Sequence, residues 1–222
     1  MLKPKNAYLF DMNGVILADE HLHEEATSRT LAAHDYICTS ADYKKYFAGR
    51  TRDAGFANYK KAQHASYDVH ELSDEKDRLY QELARTGLET VAATVQFIHY
   101  LKDGGYPMAL VTGAPRKEAR HMLETFGLGD CFSQIITGED VTLSKPHPEG
   151  YLKAAAMLQL RPQNCTVVED APMGVEAAKR AGMQCMAIST THAKDELHAA
   201  DWVVSHTPHD ALIALHRALA VA

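Results

Sequence analysis

A short apolar run that ends in an aspartate, YLFDMNGVIL at residues 8–17, constrains this chain more than any other feature. Residues 7–10 are apolar and β-prone, Asp11 ends the run, and Asn13-Gly14 is a typical turn pair. The pattern predicts a buried strand that delivers a carboxylate to a sharp bend. A lone aspartate after a strand is more often a turn residue, so a chemical role needs support from elsewhere in the chain.

From about residue 91 onward, predicted helices alternate with predicted strands. Including the first run, strands are predicted at residues 7–10, 108–111, 134–137, 166–168, 185–188 and 202–204. Helices are predicted from residue 91 to 104 and at 116–126, 148–158, 173–181 and 209–220. This alternation is typical of right-handed βαβ crossovers, so the predicted fold class is α/β with a doubly wound parallel sheet.

The segment between the first two strands has a different character. It is rich in tyrosine, phenylalanine and charged residues, and it contains no convincing strand. Helices are predicted near residues 21–34, 41–47, 51–61 and 73–85. We therefore expect residues 18–87 to form a small all-helical cap domain inserted after the first strand, and residues 1–17 with 88–222 to form the core.

Polar residues follow the carboxyl ends of several predicted strands, and in an open parallel sheet these ends share the edge where ligands bind. The positions are Asp11, Thr112-Gly113-Ala114, Lys145 and Glu169-Asp170. Each has a structural alternative, since Thr112-Gly113 is a common turn, Lys145 could be an exposed loop charge, and Glu169-Asp170 could cap the next helix.

Taken together, these residues favour phosphoryl transfer. Carboxylates gathered at one edge repel one another, so a cation is expected among them, and an all-oxygen site suits Mg²⁺ better than zinc. Thr112 and the backbone N–H groups of Gly113 and Ala114 precede a predicted helix and could hold an anion. An aspartate nucleophile, an anion site, a lysine and a metal carboxylate are what an aspartyl-phosphate mechanism uses.

The net charge, the cysteine spacing and the length of the apolar runs limit the kinds of partner that this chain is expected to bind. The 222 residues carry a formal net charge of -6, which disfavours nucleic acid and anionic membranes. The four cysteines form no ligand or redox spacing, and no apolar run approaches the ~18 residues that a membrane helix needs. We expect a soluble cytoplasmic protein, a monomer or weak homodimer, whose partner is a small phosphorylated metabolite.

The whole chain resembles the haloacid dehalogenase superfamily, in particular the branch with a helical cap that includes β-phosphoglucomutase and sugar-phosphate phosphatases. Four motifs in order carry the resemblance: FDMNGV at residues 10–15, VTGA at 111–114, SKPHPEGY at 144–151 and VVEDAPMGVEAA at 167–178. The resemblance implies a Rossmann-like core, Mg²⁺, and hydrolysis of small phosphomonoesters, with a phosphosugar mutase as an alternative.

The roles implied by the resemblance are assigned by position. Asp11 matches the nucleophile, Thr112 the phosphate-binding hydroxyl, and Lys145 the lysine that steadies both. Asp170 matches a Mg²⁺ ligand, Glu169 a ligand in some members, and Asn13 can offer its backbone carbonyl. In the cap, His23 and Arg52 match residues that touch substrate or couple cap closure to chemistry; packed or solvated side chains are the alternative for both.

The sequence departs from the family at Asn13, where the phosphatases and mutases carry a second aspartate that relays a proton. An amide cannot do this, and general acid–base assistance is typically worth about 10² to 10⁴ in rate. Three accounts stay open: an ordinary phosphatase slowed by Asn13, conversion of Asn13 to aspartate by deamidation, or a protein that binds a phosphorylated ligand without turnover.

Overall fold

The computed structural model describes residues 6–48, 50, 52–205 and 210–221, without the side chains of residues 52, 220 and 221. Six parallel strands form one sheet in the order β3-β2-β1-β4-β5-β6. The strands are β1 (Ala7–Phe10), β2 (Met108–Val111), β3 (Gln134–Ile136), β4 (Cys165–Glu169), β5 (Gln184–Ser189) and β6 (Trp202–Ser205).

The first strand of the chain lies in the middle of the sheet. Phe10 pairs with Leu110 of β2 on one side and with Val168 of β4 on the other. The chain therefore builds outward from β1 through β2 and β3, then returns to its other side and builds outward again through β4, β5 and β6. Such a reversal of strand order opens a crevice at the carboxyl ends of the strands, where α/β proteins bind ligands.

Helices cover both faces of this sheet, as right-handed crossovers in opposite directions require. They are α5 (Ala92–Asp103), α6 (Arg116–Thr125), α7 (Glu149–Met157), α8 (Pro172–Arg180) and α9 (Ala211–Val221), with short 3-10 turns at 129–131, 138–140 and 162–164. The predicted class, a doubly wound parallel α/β sheet with an all-helical insertion after the first strand, is confirmed.

The two faces of the sheet pack against different helices. One face packs alternate residues of the central strands, such as Leu9 and Val167, against small residues of α7 and α8. On the other face, Tyr8 and Phe10 contact the ring of Phe97 from α5. The Tyr8 hydroxyl lies 2.6 Å from Nδ1 of His216, which belongs to α9 and is 7% exposed. The central strands β1, β2 and β4 are thus buried on both sides, which suits their continuous apolar sequences.

The chain divides into two compact units, residues 19–89 and the remainder. The smaller unit consists of α1 (Glu20–Ala33), α2 (Ser40–Tyr46), α3 (Arg52–Gln63) and α4 (Val69–Gly87). Buried aromatic side chains give it a core of its own, including Tyr43, Phe47, Phe56, Tyr59 and Tyr67.

Helix α4 starts earlier than the predicted segment 73–85, so that prediction was wrong at the helix N-terminus. The helix begins at Val69 because the Asp68 carboxylate accepts the backbone N–H of Glu71 at 2.9 Å, which is a regular N-cap.

The larger unit is continuous where the insertion leaves and returns. Leu17 and Thr90 form an antiparallel bridge, and the backbone N–H of Val91 donates to Ile16 O at 2.8 Å. The two ends of the insertion are therefore joined within the larger unit itself. Among the described helices, none has the length and hydropathy that crossing a bilayer requires.

Candidate active site

Asp11 lies at the carboxyl edge of the sheet, directly after β1. Its backbone N–H donates to Val168 O at 3.1 Å, so the pairing with β4 continues to this residue. Its Oδ1 accepts a hydrogen bond from Lys145 Nζ at 2.6 Å, and the same ammonium donates to Glu169 Oε1 at 2.6 Å. One lysine therefore bridges two carboxylates that come from neighbouring strands.

Burial and the neighbouring charges shift the pKa values of Asp11 and Lys145. Burial raises the pKa of Asp11 to about 6, although the Lys145 ammonium acts to lower it. Burial acts to lower the pKa of Lys145, but the carboxylates of Asp11 and Glu169 outweigh it and hold that pKa above its usual value. Lys145 is therefore a fixed positive charge beside the candidate nucleophile.

Both carboxylate oxygens of Glu169 accept hydrogen bonds. It is 1% exposed; its Oε1 also accepts the Tyr151 hydroxyl at 2.7 Å, and its Oε2 accepts the N–H groups of Asp170 and Ala171 at 3.0 and 3.2 Å. A Cβ on Gly174 of α8 would lie 1.8 Å from Glu169 Oε1, so glycine at that position makes room for the carboxylate. With four donors on two oxygens, Glu169 has limited capacity left for a metal.

Asp11, Glu169 and Asp170 could nevertheless hold a cation between them. One carboxylate oxygen from each lies within 4.8 Å of the others. Carboxylate oxygens are the ligands that Mg²⁺ prefers, and a single lysine does not neutralise three carboxylates, so the donor set fits this ion.

A tight turn follows Asp11, contains Asn13 and brings Gly14 against Asp170. The carbonyl of Met12 accepts the N–H groups of Ile16 and Leu17 at 2.8 and 2.9 Å, and the N–H of Gly14 donates to Leu17 O at 2.8 Å. Gly14 has φ +72, and a Cβ there would lie 2.0 Å from Asp170 Oδ2. Both the left-handed backbone and the close approach to Asp170 require glycine at this position.

The predicted anion site follows β2. Thr112 is 5% exposed, and its Oγ1 accepts the backbone N–H of Ala114 at 3.1 Å. Because Phe10 pairs with Leu110, the end of β2 lies beside Asp11. The N-terminus of α6 is already occupied by a carboxylate, since Arg116 N–H donates to Glu139 Oε1 at 3.0 Å. Any anion binding here rests on the loop rather than on the helix N-terminus.

The two predicted cap residues lie in the helical insertion. His23 on α1 stacks on the ring of Tyr80, with centroids 4.0 Å apart, and its Nδ1 lies 2.8 Å from Lys76 Nζ. Its Nε2 is 3.4 Å from Asp19 Oδ2. Arg52 begins α3, and its side chain lies outside the described residues.

Some residues at this edge were missed by the sequence reasoning. Tyr151 stood in a quoted motif but was given no role, although its hydroxyl holds Glu169. Thr190 Oγ1 donates to Gly14 O, and His192 Nδ1 lies 3.1 Å from Asp170 O. Both follow β5, so the rule that found Asp11, applied to one more strand, points to them as well.

Comparison with known proteins adds to this geometry. Residues 8–188 match the family described as haloacid dehalogenase-like hydrolase. The validoxylamine A 7'-phosphate phosphatase of Streptomyces hygroscopicus subsp. limoneus is 34% identical over 193 residues, which are 87% of this chain and 90% of that protein. The phosphorylated carbohydrates phosphatase of Thermotoga maritima is 28% identical over 190 residues, 80% of this chain and 82% of that protein.

Solved structures share the fold. The β-phosphoglucomutase of Clostridium difficile superposes with a TM-score of 0.80 at 22% identity, over 98% of this chain and 99% of that one. At this level of identity the likeness concerns the fold alone.

Proposed function

This chain belongs to the haloacid dehalogenase-like hydrolase family, and on that premise we propose that it is a Mg²⁺-dependent phosphatase of small phosphomonoesters, with sugar phosphates as the substrate class. The observation that carries the proposal is the Lys145 ammonium, held 2.6 Å from both Asp11 and Glu169 at the end of the central strand. The two phosphatase relatives support the same reaction, because each is similar to this chain over at least 80% of its length.

In the proposed reaction, an Asp11 oxygen attacks the phosphorus and the bond to the substrate oxygen breaks, which leaves an aspartyl-phosphate and an alkoxide. The alkoxide takes up a proton from solvent water, and a second water then attacks the phosphorus, loses a proton to solvent, releases inorganic phosphate and restores Asp11. Lys145 holds the Asp11 carboxylate in place and offsets the charge of the entering phosphate. Thr112, Gly113 and Ala114 hold the non-reacting phosphate oxygens.

Asp11, Asp170, Glu169 and the Asn13 carbonyl are the proposed holders of Mg²⁺. When bound, the ion would neutralise the carboxylates and the charge that develops on the phosphoryl oxygens. It would also favour the ionised form of Asp11, whose pKa burial raises to about 6.

We propose further that residues 18–87 act as a cap and that His23 and Arg52 in it contact the substrate. The support for His23 is its match to the family pattern; its contacts with Tyr80, Lys76 and Asp19 fix the orientation of the ring within the insertion. The support for Arg52 is its match to the family pattern.

Asn13 lowers the expected rate, because its amide cannot protonate the leaving alkoxide or activate water. Deamidation to aspartate would require the backbone nitrogen of Gly14 to attack the Asn13 side chain. That nitrogen is engaged with Leu17 O at 2.8 Å in a turn closed by several hydrogen bonds. The geometry thus favours a persistent amide and a slow enzyme.

The substitution Asn13→Asp tests the proposal. It restores a proton relay and is expected to raise turnover of phosphomonoesters with Mg²⁺ by about 10² to 10⁴. Turnover is measured as phosphate release across a panel of sugar phosphates, and intact mass spectrometry checks whether position 13 is amide or acid. Asn164→Asp adds the same charge after α7, away from the site, and should leave the rate unchanged. If the protein and its Asn13→Asp variant are equally inert across the panel, the phosphatase proposal is wrong.

Asn13 also favours a second candidate, a protein that binds a phosphorylated ligand without turnover. Tight binding with no phosphate release, by both the protein and Asn13→Asp, would identify it. A phosphosugar mutase is the remaining alternative, and transfer of labelled phosphate between sugar positions rather than to water would distinguish it.

A further inference from the structure

The turn after β3, residues 137–140, lies directly against the loop that carries Thr112, Gly113 and Ala114. The backbone N–H of Gly138 donates to Ala114 O at 3.3 Å. A Cβ on Gly138 would lie 2.5 Å from Gly113 O, a backbone atom that could only be accommodated by moving the loop. Gly138 thus fixes how closely the two segments approach.

The same turn supplies the carboxylate at the N-terminus of α6. Glu139 Oε1 accepts the N–H of Arg116, the first residue of this ten-residue helix, at 3.0 Å. A negative group is favourable there because it satisfies a backbone donor at the positive end of the helix. The loop 112–114 is therefore flanked by two contacts from one turn, Gly138 on its carbonyls and Glu139 on the helix that follows.

An ion pair between Arg116 and Asp140 also links the start of α6 to the turn after β3. The Arg116 guanidinium donates to Asp140 Oδ2 and, at 3.2 Å, to Ile135 O. Asp140 Oδ2 also accepts the N–H and the hydroxyl of Thr137, each at 2.8 Å. Partial burial acts to raise the pKa of Asp140, but the hydrogen bonds from Thr137 and Arg116 hold that pKa below its usual value. The carboxylate stays ionised, and the turn keeps one shape.

From these contacts we infer that Gly138 and Glu139 are positioning residues for the proposed phosphate-binding loop, residues 112–114. The turn at 137–140 determines where the Thr112 hydroxyl and the backbone amides of that loop lie. The inference rests on the proposed function, in which residues 112–114 bind the phosphate group of the substrate.

Gly138→Ala tests the inference, with inorganic phosphate as the probe, Mg²⁺ present and the full chain used. The variant should weaken phosphate binding, measured by calorimetry and as product inhibition. It should also lower kcat/KM by about tenfold to a hundredfold, because displacements of about 1 Å in a binding group have effects of this size. Gly129→Ala is the matched control, since a Cβ at Gly129 meets nothing within 4 Å. It should bind phosphate like the unaltered protein.

A second pair of variants covers the case in which Gly138→Ala does not fold. Glu139→Gln keeps an oxygen acceptor for Arg116 N–H, whereas Glu139→Ala removes it. Glu139→Ala should weaken phosphate binding by about fivefold, the size expected for one hydrogen bond, and Glu139→Gln should restore it. Equal binding by both variants would contradict a role for this contact.

The outcomes separate this inference from the function on which it rests. If the unaltered protein neither binds inorganic phosphate nor hydrolyses phosphomonoesters with Mg²⁺, the proposed function fails and the inference fails with it. If it does both and Gly138→Ala binds phosphate as tightly as Gly129→Ala, the function stands and the positioning role is overturned.

Discussion

The Tyr151 hydroxyl is one of four donors to the Glu169 carboxylate in the candidate site. It donates to Glu169 Oε1 at 2.7 Å from a side chain that is 1% exposed. In Tyr151→Phe the buried carboxylate loses one donor, so we expect the free energy of unfolding to fall by about 1–3 kcal/mol. Urea denaturation measures this change. Tyr106→Phe, which removes a hydroxyl from a partly exposed ring of the same unit, should cost less; an equal loss would contradict the role assigned to Tyr151.

Gly14 and Gly105 have the same left-handed backbone conformation, so alanine substitutions at the two positions distinguish the effect of backbone strain from the effect of a side-chain contact. Gly14 has φ +72 and Gly105 has φ +70, but a Cβ on Gly14 would meet Asp170 Oδ2 at 2.0 Å, whereas one on Gly105 would meet nothing within 4 Å. Alanine at either position should cost about 1–2 kcal/mol from the left-handed backbone. Only Gly14→Ala should also weaken Mg²⁺ binding, measured by calorimetry. Equal Mg²⁺ affinity in the two variants would argue against Asp170 as a ligand.

At the scale of single residues, the sequence predicted those whose position follows from strand ends. Asp11, Lys145, Glu169 and Asp170 come from three separate segments of the chain, and the structure brings them together. Tyr151 could not be predicted in the same way, because its contact with Glu169 depends on how α7 packs under the sheet. The contact of Glu139 with the N-terminus of α6 could not be predicted either, because it depends on how close the turn after β3 lies to the loop after β2. The spacing of residues along the chain does not determine that distance.

At the scale of elements, prediction succeeded where periodicity decides. Every predicted strand is present, and β1 and β2 have the predicted bounds, because short apolar runs between turn residues leave little choice. Prediction failed where a local hydrogen bond decides: Asp68 starts α4 before the predicted residue, and the 3-10 turn at 138–140 depends on the Asp140 side chain. Capping residues carry such information, but they are weaker signals than apolar periodicity.

Helix α9 packs on the sheet through a buried histidine, which should make stability depend on pH. Burial lowers the pKa of His216 below its ordinary value of 6.5, and the neighbouring Arg217 acts in the same direction. The unfolded chain then binds the proton more readily than the folded one, so this contribution is complete above pH 6.5 and is lost progressively as the pH falls below it. Thermal unfolding between pH 8 and pH 5 measures the loss, and His216→Leu should reduce it.

The control for that measurement is His121→Gln, because His121 is exposed on α6. Its melting temperature should follow the same pH dependence as the unaltered protein. If His216→Leu and His121→Gln give the same curve, the dependence arises from other groups, and the Tyr8–His216 contact is not its source.

At the scale of the whole molecule, the bridge between Leu17 and Thr90 predicts that the larger unit can fold without the insertion. The two ends are already paired, so a glycine- and serine-rich turn of about four residues should replace residues 19–89 without strain. We expect cooperative unfolding and a far-UV circular dichroism spectrum richer in strand. A shortened chain that lacks a cooperative transition would show that the larger unit depends on the insertion.

The central place of β1 also affects how this chain can fold during synthesis. β1 is made before both of its partners, and Tyr8 pairs with Met108 and with Thr166, both far along the chain. Contacts of such long range are slow to form, because a long loop must close before they give any stability. The helices of the insertion can form from local contacts in the meantime and shorten the effective loop to β2. β1 therefore gains its second neighbour only after β4 has been made, and until then one edge of this apolar strand is unpaired and open to misassembly.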